Sequence, residues 1–209
     1  MTEQSKFSSS GNDLRAYRVV TAIEEFVDGF TRRVPSEHAS EVLYDSTALD
    51  GRKINQAPER FIEEYLIQDV ANALGYDYRP QPKGFDGLGG RIPDFTITNS
   101  EVTVIGELKR PNHIMEARSE SVEYLNLATE YPLVGIATDG WTWIIFRAEQ
   151  GKDPTYHSHV PLRSVIRDIA RDRTAEREPK QSPHKLRERC SKFVAEFGIE
   201  SIQEHSWVE

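Results

Sequence analysis

Two short strand-forming runs, Ile92–Thr98 and Val102–Leu108, constrain the fold of this chain more than any other feature of its sequence. Both are rich in β-branched residues, and the pair Asn99-Ser100, which is typical of turns, separates them. This pattern predicts two neighbouring strands joined by a tight turn. Hydrophobic residues make up 37% of the chain, so a core that supports such strands is available and wholesale disorder is excluded.

Helices are predicted on both sides of these strands, and a second pair of strands is predicted further along the chain. Pro58 is well placed as the first residue of a helix that Gly75 ends. Asp139-Gly140 is a strong signal for a two-residue hairpin turn. The predicted order is a disordered leader (1–12), a helix (14–33), a polar connector (35–57), a helix (59–74), a short strand (76–79), strands 92–98 and 102–108, a helix (113–130), strands 133–138 and 141–147, and helices 162–173 and 185–197.

The order helix, strands, helix, strands predicts a mixed α/β (α+β) fold, with a central mixed β-sheet flanked by helices, rather than a repeat of βαβ units. The length of 209 residues suits one domain with terminal extensions. We therefore divide the chain into three segments. They are a polar leader, amphipathic helix and connector (1–57), a core (58–160) and a basic C-terminal helical extension (161–209).

Composition excludes several classes of protein. No apolar run approaches the roughly 20 residues of a membrane span, and the polar start lacks the apolar segment of a secretion signal. The single cysteine, Cys190, excludes an internal disulfide and a cysteine metal cluster, which suits a reducing cytosol. We therefore expect a cytoplasmic protein with no membrane partner.

Charge is distributed unevenly along the chain. The formal net charge of −8 argues against a protein that coats nucleic acid, but it leaves room for one local basic surface. Residues 160–192 hold ten Lys/Arg against five Asp/Glu, a local excess of five positive charges. This segment is either a surface that contacts phosphates or a solvated helix with ion pairs one turn apart.

Chemistry is indicated where the first two strands meet. Asp94 lies in one strand, and Glu107-Leu108-Lys109 ends the next. Side chains alternate across a strand, so Glu107 and Lys109 share one face while Leu108 points to the other. If the strands pair, Asp94 can lie beside Glu107, and two neighbouring carboxylates raise each other's pKa. A divalent cation relieves that repulsion, and oxygen ligands suit Mg2+ or Mn2+.

A surface ion pair is the simpler interpretation of the Glu107-Leu108-Lys109 triplet taken alone, because such triplets are common and exposed pairs contribute little stability. The surrounding motifs favour the chemical interpretation. Pro93-Asp94 followed by Glu-Leu-Lys resembles the signature of the PD-(D/E)xK nuclease superfamily, which has the restriction-endonuclease-like fold. Within it, the chain is most similar to the N-terminal nuclease domain of type I restriction enzyme motor (R) subunits and its stand-alone relatives.

Motifs on both sides of the signature carry this resemblance over about residues 58–147. Upstream, a helix with two acidic residues four apart precedes an ending of the form Leu-Gly-Tyr. Downstream, a strand pair has the form Pro-Leu-x-Ile-x-Thr-Asp-Gly-x-x-Trp in relatives. The matching segments here are Glu59-Arg60-Phe61-Ile62-Glu63, Ala73-Leu74-Gly75-Tyr76 and Pro132-Leu133-Val134-Gly135-Ile136-Ala137-Thr138-Asp139-Gly140-Trp141.

The resemblance implies a role for each residue of the signature. Asp94 and Glu107 would be metal ligands, and the carbonyl oxygen of Leu108 would be a third. Lys109 would hold or activate the attacking water. Glu63 would complete the metal shell from the helix, directly or through water. The helix carboxylate has two alternatives, because Glu59 lies one helical turn earlier on the same face and Glu64 is adjacent to Glu63.

One position departs from the family pattern. Many relatives carry a glutamine in the helix after the lysine strand, three residues before a tyrosine. Here Tyr124 is preceded at that place by Ser121, and Glu120 and Glu123 flank it.

The resemblance implies a Mg2+-dependent endodeoxyribonuclease, with Mn2+ able to substitute, that acts on DNA in restriction or defence, repair, or processing of mobile elements. No GxxxxGK[ST] motif occurs, so a motor or specificity subunit would be a separate protein. A homodimer is a further expectation, because the apolar helix 14–33 needs a partner surface, either its own core or another subunit. The alternative function is an inactive nuclease-fold module that binds nucleic acid or a protein.

The glycine-rich loop Gly84–Gly90 superficially resembles a phosphate-binding turn. Such a turn follows a strand and opens a helix, whereas this loop leads into a strand. We therefore expect a flexible loop beside the active site.

Overall fold

The two strands predicted on either side of Asn99-Ser100 pair with each other in the computed structural model, which describes residues 4–82, 88, 90–129, 131–174 and 183–204. Strands in this part of the chain form one six-stranded sheet in their sequence order. They are β1 (Tyr78–Pro80), β2 (Phe95–Ile97), β3 (Thr103–Leu108), β4 (Leu133–Thr138), β5 (Thr142–Ala148) and β6 (Thr155–Pro161).

Helices cover both faces of this sheet, so the predicted mixed α/β fold with a central mixed sheet is confirmed. The helices are α1 (Gln4–Arg33), α2 (Ser36–Tyr44), α3 (Gly51–Ile54), α4 (Pro58–Ile62), α5 (Gln68–Leu74), α6 (Ile114–Leu127), α7 (Arg163–Thr174), α8 (Pro183–Phe197) and α9 (Ile199–Glu204). A π-helical turn, Glu63–Ile67, joins α4 to α5 without a break. Pro58 is the first residue of α4, as predicted.

Strand directions explain the mixed character of the sheet. In the described part of the chain, β3 and β4 run parallel, whereas the other neighbouring strands run antiparallel. Parallel neighbours need a long crossover, and α6 supplies it. The fold therefore contains one βαβ unit at its centre, and not a repeat of such units.

Alternation along β3 assigns its residues to the two faces of the sheet. Val104 and Leu108 belong to the larger hydrophobic core, together with α1, α5, α7 and α8. Ile105 faces the other way and belongs to a smaller core under α6. Glu107 and Lys109 fall on the same face as Ile105, so the predicted separation of this pair from Leu108 is confirmed.

The N-terminal segment corrects the predicted leader. The first helix begins at Gln4 and not near Leu14, so residues 4–12 are helical. The polar composition of this stretch suggested disorder, but a polar stretch can be helical where the helix is stabilised further along by packing. The predicted polar connector also contains helix, since α2 and α3 both lie between residues 35 and 57.

The apolar face of α1 is buried inside the chain's own core. Val19, Ile23 and Phe30 are at most 1% exposed, and the ring of Phe26 meets the edge of Trp141 at a centroid distance of 5.7 Å. No second subunit is needed to cover this face. Because α1, the central sheet and α8 share this one core, the segments divided at residues 57 and 160 pack as a unit.

Three further details differ from the sequence predictions. Strand β6 and helix α9 were not predicted, because β6 is largely exposed and lacks the apolar alternation of a core strand. The hairpin between β4 and β5 is confirmed, but Asp139 pairs with Thr142 through its amide, so Gly140 and Trp141 form the tip. No helix in the described ranges is both long and apolar enough to cross a membrane.

Candidate active site

Asp94 and Glu107 occupy opposed positions on neighbouring strands. The β2–β3 ladder pairs Phe95 with Gly106, so the next position out places Asp94 opposite Glu107. Oδ2 of Asp94 accepts a hydrogen bond of 2.8 Å from the amide of Leu108, which fixes this carboxylate to the end of β3. The predicted proximity of the two carboxylates is therefore present in the structure.

Lys109 lies between two carboxylates on the α6 face of the sheet. Its Nζ donates to Oε1 of Glu107 at 2.6 Å and to Oε2 of Glu120 at 2.7 Å. Glu107 extends from β3 and is 3% exposed, whereas Glu120 extends from α6. This contact to the crossover helix was not predicted from the sequence.

Burial controls the protonation of this group. Desolvation, with a hydrogen bond to Glu120 and repulsion from Asp94, raises the pKa of Glu107 to about 9. Desolvation also opposes the charged form of Lys109, but its hydrogen bonds to Glu107 and Glu120 outweigh that effect and raise its pKa. Desolvation alone would raise the pKa of Glu120, but its interactions with Glu107 and Lys109 outweigh that effect and lower it. At neutral pH Lys109 is therefore an ammonium ion held between the two glutamates.

Glu63 stands on a facing wall, at the start of the π-helical turn. A π turn inserts one extra residue into a helical turn and often marks a functional site. Oε1 of Glu63 accepts a hydrogen bond of 2.8 Å from the hydroxyl of Tyr78. Desolvation and the charge of Asp94 raise the pKa of Glu63, although the bond from Tyr78 opposes that rise.

The two alternatives to Glu63 occupy different surroundings. Glu64 is held by Arg60 through a bond of 2.7 Å and by Gln56 through one of 2.8 Å, and the bond from Arg60 is the main cause of its lowered pKa. Glu59 is half-buried one turn before Glu63. The charge of Asp94 contributes to the raised pKa of Glu63, so Glu63 is electrostatically coupled to the strand pair.

These residues border a single cleft of about 800 Å³ between the α4–α5 helix and the end of the sheet. Carboxylates outnumber cations in its lining. The lining residues include Glu59, Arg60, Glu63, Glu64, Gln68, Gln81, Asp94, Leu108 and Lys109. Glu107 lies behind Lys109 and is not part of the lining, so the chain brings most of the predicted site residues to one surface.

The carboxylate and carbonyl oxygens near Asp94 and Glu107 are of the chemical type that hard divalent cations bind. Oε2 of Glu107 is buried without a hydrogen-bond partner, which is costly for a carboxylate oxygen unless a cation or water approaches it. In the described part of the chain, however, no three histidine, cysteine or carboxylate side chains are close enough to hold an ion together. The pair Asp94–Glu107 is thus assembled, whereas Glu63 is not drawn into one cluster with it.

The segment after Lys109 is anchored by both terminal regions of the chain. The amide of Lys109 donates to the carbonyl of Thr138 at 3.0 Å, and Nδ2 of Asn112 donates to the carbonyl of Thr47 at 2.7 Å. Arg163 donates to Oδ1 of Asn112 and to Oγ of Ser46. The position of the lysine strand therefore depends on residues well outside the signature.

Ser121, the α6 position that differs from the glutamine of the resembled pattern, is used in packing. Ser121 is buried against β4, where its Oγ would meet a side chain placed on Gly135 at 3.0 Å. Arg91 pairs with Glu123 at 2.9 Å and lies over the ring of Tyr124 at 5.6 Å. Glu120, one residue before Ser121, is the position that reaches Lys109. Glu120 can be identified as the partner of Lys109 only when the path of α6 across the sheet is known.

Several arginines of the basic segment are used inside the fold. Arg167 donates to the carbonyls of Leu43 and Tyr44 at the end of α2, and Arg189 pairs with Asp168. Arg173 pairs with Asp28 on α1 at 2.9 Å. These contacts engage cations of this segment with other parts of the chain, which counts against a phosphate-contacting surface, but they are not the predicted ion pairs one helical turn apart. Residues 175–182 lie outside the described residues.

Replacing Arg167 by methionine is expected to lower the free energy of unfolding by about 2 kcal/mol, because two carbonyls at the end of α2 lose a charged donor. Urea denaturation followed by circular dichroism measures this change. Lys192→Ala, at an exposed position of α8, is the matched control and is expected to shift stability by less than about 0.5 kcal/mol. Equal effects of the two substitutions would contradict the internal role of Arg167.

Glu107→Gln is expected to flatten the pH dependence of stability in metal-free buffer. The folded protein keeps the Glu107 proton up to a pKa of about 9. The unfolded chain releases this proton near its ordinary pKa of about 4.3. Wild-type stability therefore falls as pH rises between those values. Glutamine does not titrate, so the variant is expected to gain on the wild type as pH rises through this window, by up to about 1.4 kcal/mol per pH unit.

Urea titrations in EDTA at about pH 5 and about pH 9 measure that difference, and comparison with the wild type removes the contribution of groups that do not interact with Glu107. Glu101→Gln, an exposed position in the turn before β3, serves as the control. Parallel pH profiles for wild type and Glu107→Gln would show that Glu107 is ionised in the folded state.

The predicted loop Gly84–Gly90 falls mainly outside the described residues, which include only Leu88 and Gly90 within it.

Comparison of the chain with family models, with characterised proteins and with solved structures finds no match.

Proposed function

We propose that this protein is a metal-dependent nuclease that hydrolyses phosphodiester bonds of DNA. The observation that carries the proposal is the placement of Asp94 opposite Glu107, with Lys109 beside them at the wall of one cleft. Superfamily membership, the restriction-endonuclease-like core and the activity are all part of this proposal. The net reaction adds one water across one phosphodiester bond and yields a phosphomonoester and a free hydroxyl group.

Asp94, Glu107 and the carbonyl of Leu108 would hold Mg2+, with Mn2+ able to substitute, and Glu63 would complete the shell from the facing wall. The buried Oε2 of Glu107, which has no hydrogen-bond partner, supports this choice of ligands. A bound divalent cation supplies Lewis-acid stabilisation of charge on the phosphoryl oxygens. The hydrogen bond from the Leu108 amide to Asp94 keeps that carboxylate oriented without using a side chain.

Lys109 acts as a fixed positive charge in this proposal. Its raised pKa keeps the amine protonated at neutral pH, so it is a hydrogen-bond donor to water or to a phosphoryl oxygen and not a general base. Glu120 is a positioning residue, since it holds the ammonium group from α6 at 2.7 Å. Holding a long side chain in one geometry before substrate binds lowers the entropic cost of the reaction.

The acidic lining of the cleft implies that DNA capture depends on divalent cations. Among the described residues, Glu59, Glu63, Glu64 and Asp94 line the cleft, against the two cations Arg60 and Lys109. In EDTA we expect duplex DNA to bind with a Kd weaker than about 10 μM, within the range of non-specific binding. Addition of Ca2+ is expected to tighten binding at least about tenfold, by neutralising these carboxylates. Fluorescence anisotropy with a labelled duplex measures both values, and tight binding in EDTA would contradict the expectation.

A plasmid-nicking assay with the purified chain tests the activity. Conversion of supercoiled to nicked or linear DNA is expected with Mg2+ or Mn2+ and is expected to stop with EDTA. Asp94→Asn keeps a group that can accept the Leu108 amide but removes the charge, so it is expected to abolish both cleavage and the rise in melting temperature caused by metal. Cleavage that survives Asp94→Asn in metal would place the activity at another site or in a contaminant.

A second candidate function is a nuclease-fold module that binds nucleic acid or a protein without cutting. The neutralisation of Lys109 by Glu107 and Glu120 favours it, since an ammonium group engaged by two carboxylates is less available to a phosphate. DNA binding without cleavage, unchanged by substitution of Lys109, is the result expected of such a module.

For the biological process in which the nuclease acts, we propose three alternatives. Restriction or defence, repair, and processing of mobile-element DNA each need a nuclease of this kind. A separate motor or specificity subunit would supply translocation and target recognition. A cytoplasmic location is a further proposal. A homodimer is proposed as well, although α1 buries its apolar face within the chain, and sedimentation of the purified chain at two concentrations tests it.

A further inference from the structure

Gln81 adopts a backbone conformation that glutamine rarely takes. Its φ is +40°, in the left-handed region that favours glycine and asparagine. The next residue is Pro82, and a residue before proline is further restricted to extended conformations. A strained backbone at a non-glycine residue persists only where its surroundings hold it, and such residues concentrate at functional sites.

The surroundings of Gln81 fix it beside the candidate site. Its amide donates to the carbonyl of Asp94 at 2.7 Å, and the preceding Pro80 pairs with Phe95 in the β1–β2 ladder. Pro82 is buried on the other side. Gln81 is therefore attached directly to the strand that carries Asp94, and its exposed side chain lines the cleft with Asp94 and Lys109.

The side-chain amide of Gln81 has no hydrogen-bond partner within the described part of the chain, and neither has that of Gln68 on the facing wall. Other polar groups of the cleft are engaged: Glu63 with Tyr78, Glu64 with Arg60, and Lys109 with Glu120. The two glutamines thus place neutral donors and acceptors on opposite walls, where a ligand can use them.

We infer that Gln81 contacts a nucleobase of DNA bound in the cleft, with Gln68 facing it from the opposite wall. A glutamine amide offers one donor group and one acceptor, which matches the edge of a base, adenine in particular. Phosphate groups are instead bound mainly by cations and backbone amides. The inference rests on the proposed function, since it assigns base preference to the same cleft.

Two substitutions at Gln81 distinguish the effect of its backbone strain from the effect of its contact with DNA. Gln81→Gly relieves the backbone strain and removes the amide, so it is expected to raise the melting temperature by about 2–4 °C and to weaken DNA binding about tenfold. Gln81→Asn tolerates the left-handed conformation and keeps a shorter amide, so a smaller loss of affinity is expected. Asn55→Gly is the control, because Asn55 has φ +54° at the end of α3 and does not line the cleft.

Affinity is measured by fluorescence anisotropy, with Ca2+ in place of Mg2+ and with two duplexes, one of A·T pairs only and one of G·C pairs only. The expected result is a loss with Gln81→Gly that is larger for one duplex than for the other, and no change with Asn55→Gly. A higher melting temperature with unchanged affinity would overturn the contact. Equal losses on both duplexes would overturn base recognition and assign Gln81 to the sugar–phosphate backbone.

Failure of the proposed activity has a different signature. If the wild type binds DNA through Gln81 but never cleaves it, the nuclease proposal fails and the contact stands. If the wild type binds neither duplex, both proposals fall together.

Discussion

Lys109→Met is expected to lower the rate of metal-dependent DNA cleavage by about 10²–10³-fold, because it removes the positive charge nearest to the reacting phosphate in the proposed site. Methionine retains the length and the apolar stem of lysine, so the packing beside Glu107 is preserved. Initial rates of plasmid nicking in Mg2+ measure the effect, together with the melting temperature of the variant.

A measurement of metal binding distinguishes Lys109→Met from a variant that has lost a metal ligand. Lys109→Met leaves Asp94 and Glu107 in place, so the increase in melting temperature on addition of Mg2+ is expected to persist. Asp94→Asn is expected to lose that increase. Arg110→Met is the matched control, since Arg110 follows Lys109 but does not line the cleft. A Lys109→Met rate within tenfold of wild type would exclude the electrostatic role of this lysine.

Local sequence rules predicted the strand pair and the orientation of its side chains. Period-two alternation placed Glu107 and Lys109 on one face and Leu108 on the other, which is a consequence of strand geometry alone. The turn signal at Asn99-Ser100 predicted that the strands pair but not their register, because a two-residue turn there would set Asp94 opposite Ile105, whereas the observed ladder sets it opposite Glu107. The pairing and the side-chain orientation were predicted because each depends on residues fewer than 20 apart in the chain.

Residues that join the site through tertiary packing were not predicted. Glu120 reaches Lys109 because α6 returns across the sheet to make β4 parallel to β3, and no local pattern fixes that crossing. Tyr78 bonds to Glu63 for a similar reason, since the π turn alters the direction of the helix face. The excess of Lys and Arg in residues 160–192 also did not predict that Arg163 and Arg167 bind side-chain amide and backbone carbonyl oxygens of the same chain.

Gly106 shows how packing sets the distance between the strands that carry the site. It pairs with Phe95 across the β2–β3 ladder, and the aromatic ring lies over the bare backbone of the glycine. The ring of Phe95 is 1% exposed and stacks on Tyr78 at a centroid distance of 4.9 Å, so it has little room to move. A β-carbon added at Gly106 would meet ring atoms at 2.1–2.3 Å.

Gly106→Ala is therefore expected to lower the free energy of unfolding by about 3 kcal/mol, at the upper end of the usual cost of overpacking. Urea denaturation measures this loss. Gly135→Ala on the neighbouring strand is the graded control, because its new methyl group would meet only the ends of Leu125 and Ser121, which are able to shift. Its expected cost is about 1 kcal/mol.

A double-mutant cycle with Phe95→Leu identifies the cause. If the aromatic ring is what the new methyl group strikes, a leucine at position 95 relieves the clash, and the double variant is more stable than the two separate losses predict by at least about 1 kcal/mol. Additive losses would mean that Gly106 is required for its backbone and not for the space it leaves. Asp94 precedes Phe95, and Glu107 follows Gly106. Relief of the clash is therefore also expected to restore the stabilisation caused by metal. That result would connect the packing of Phe95 on Gly106 to the geometry of the two carboxylates.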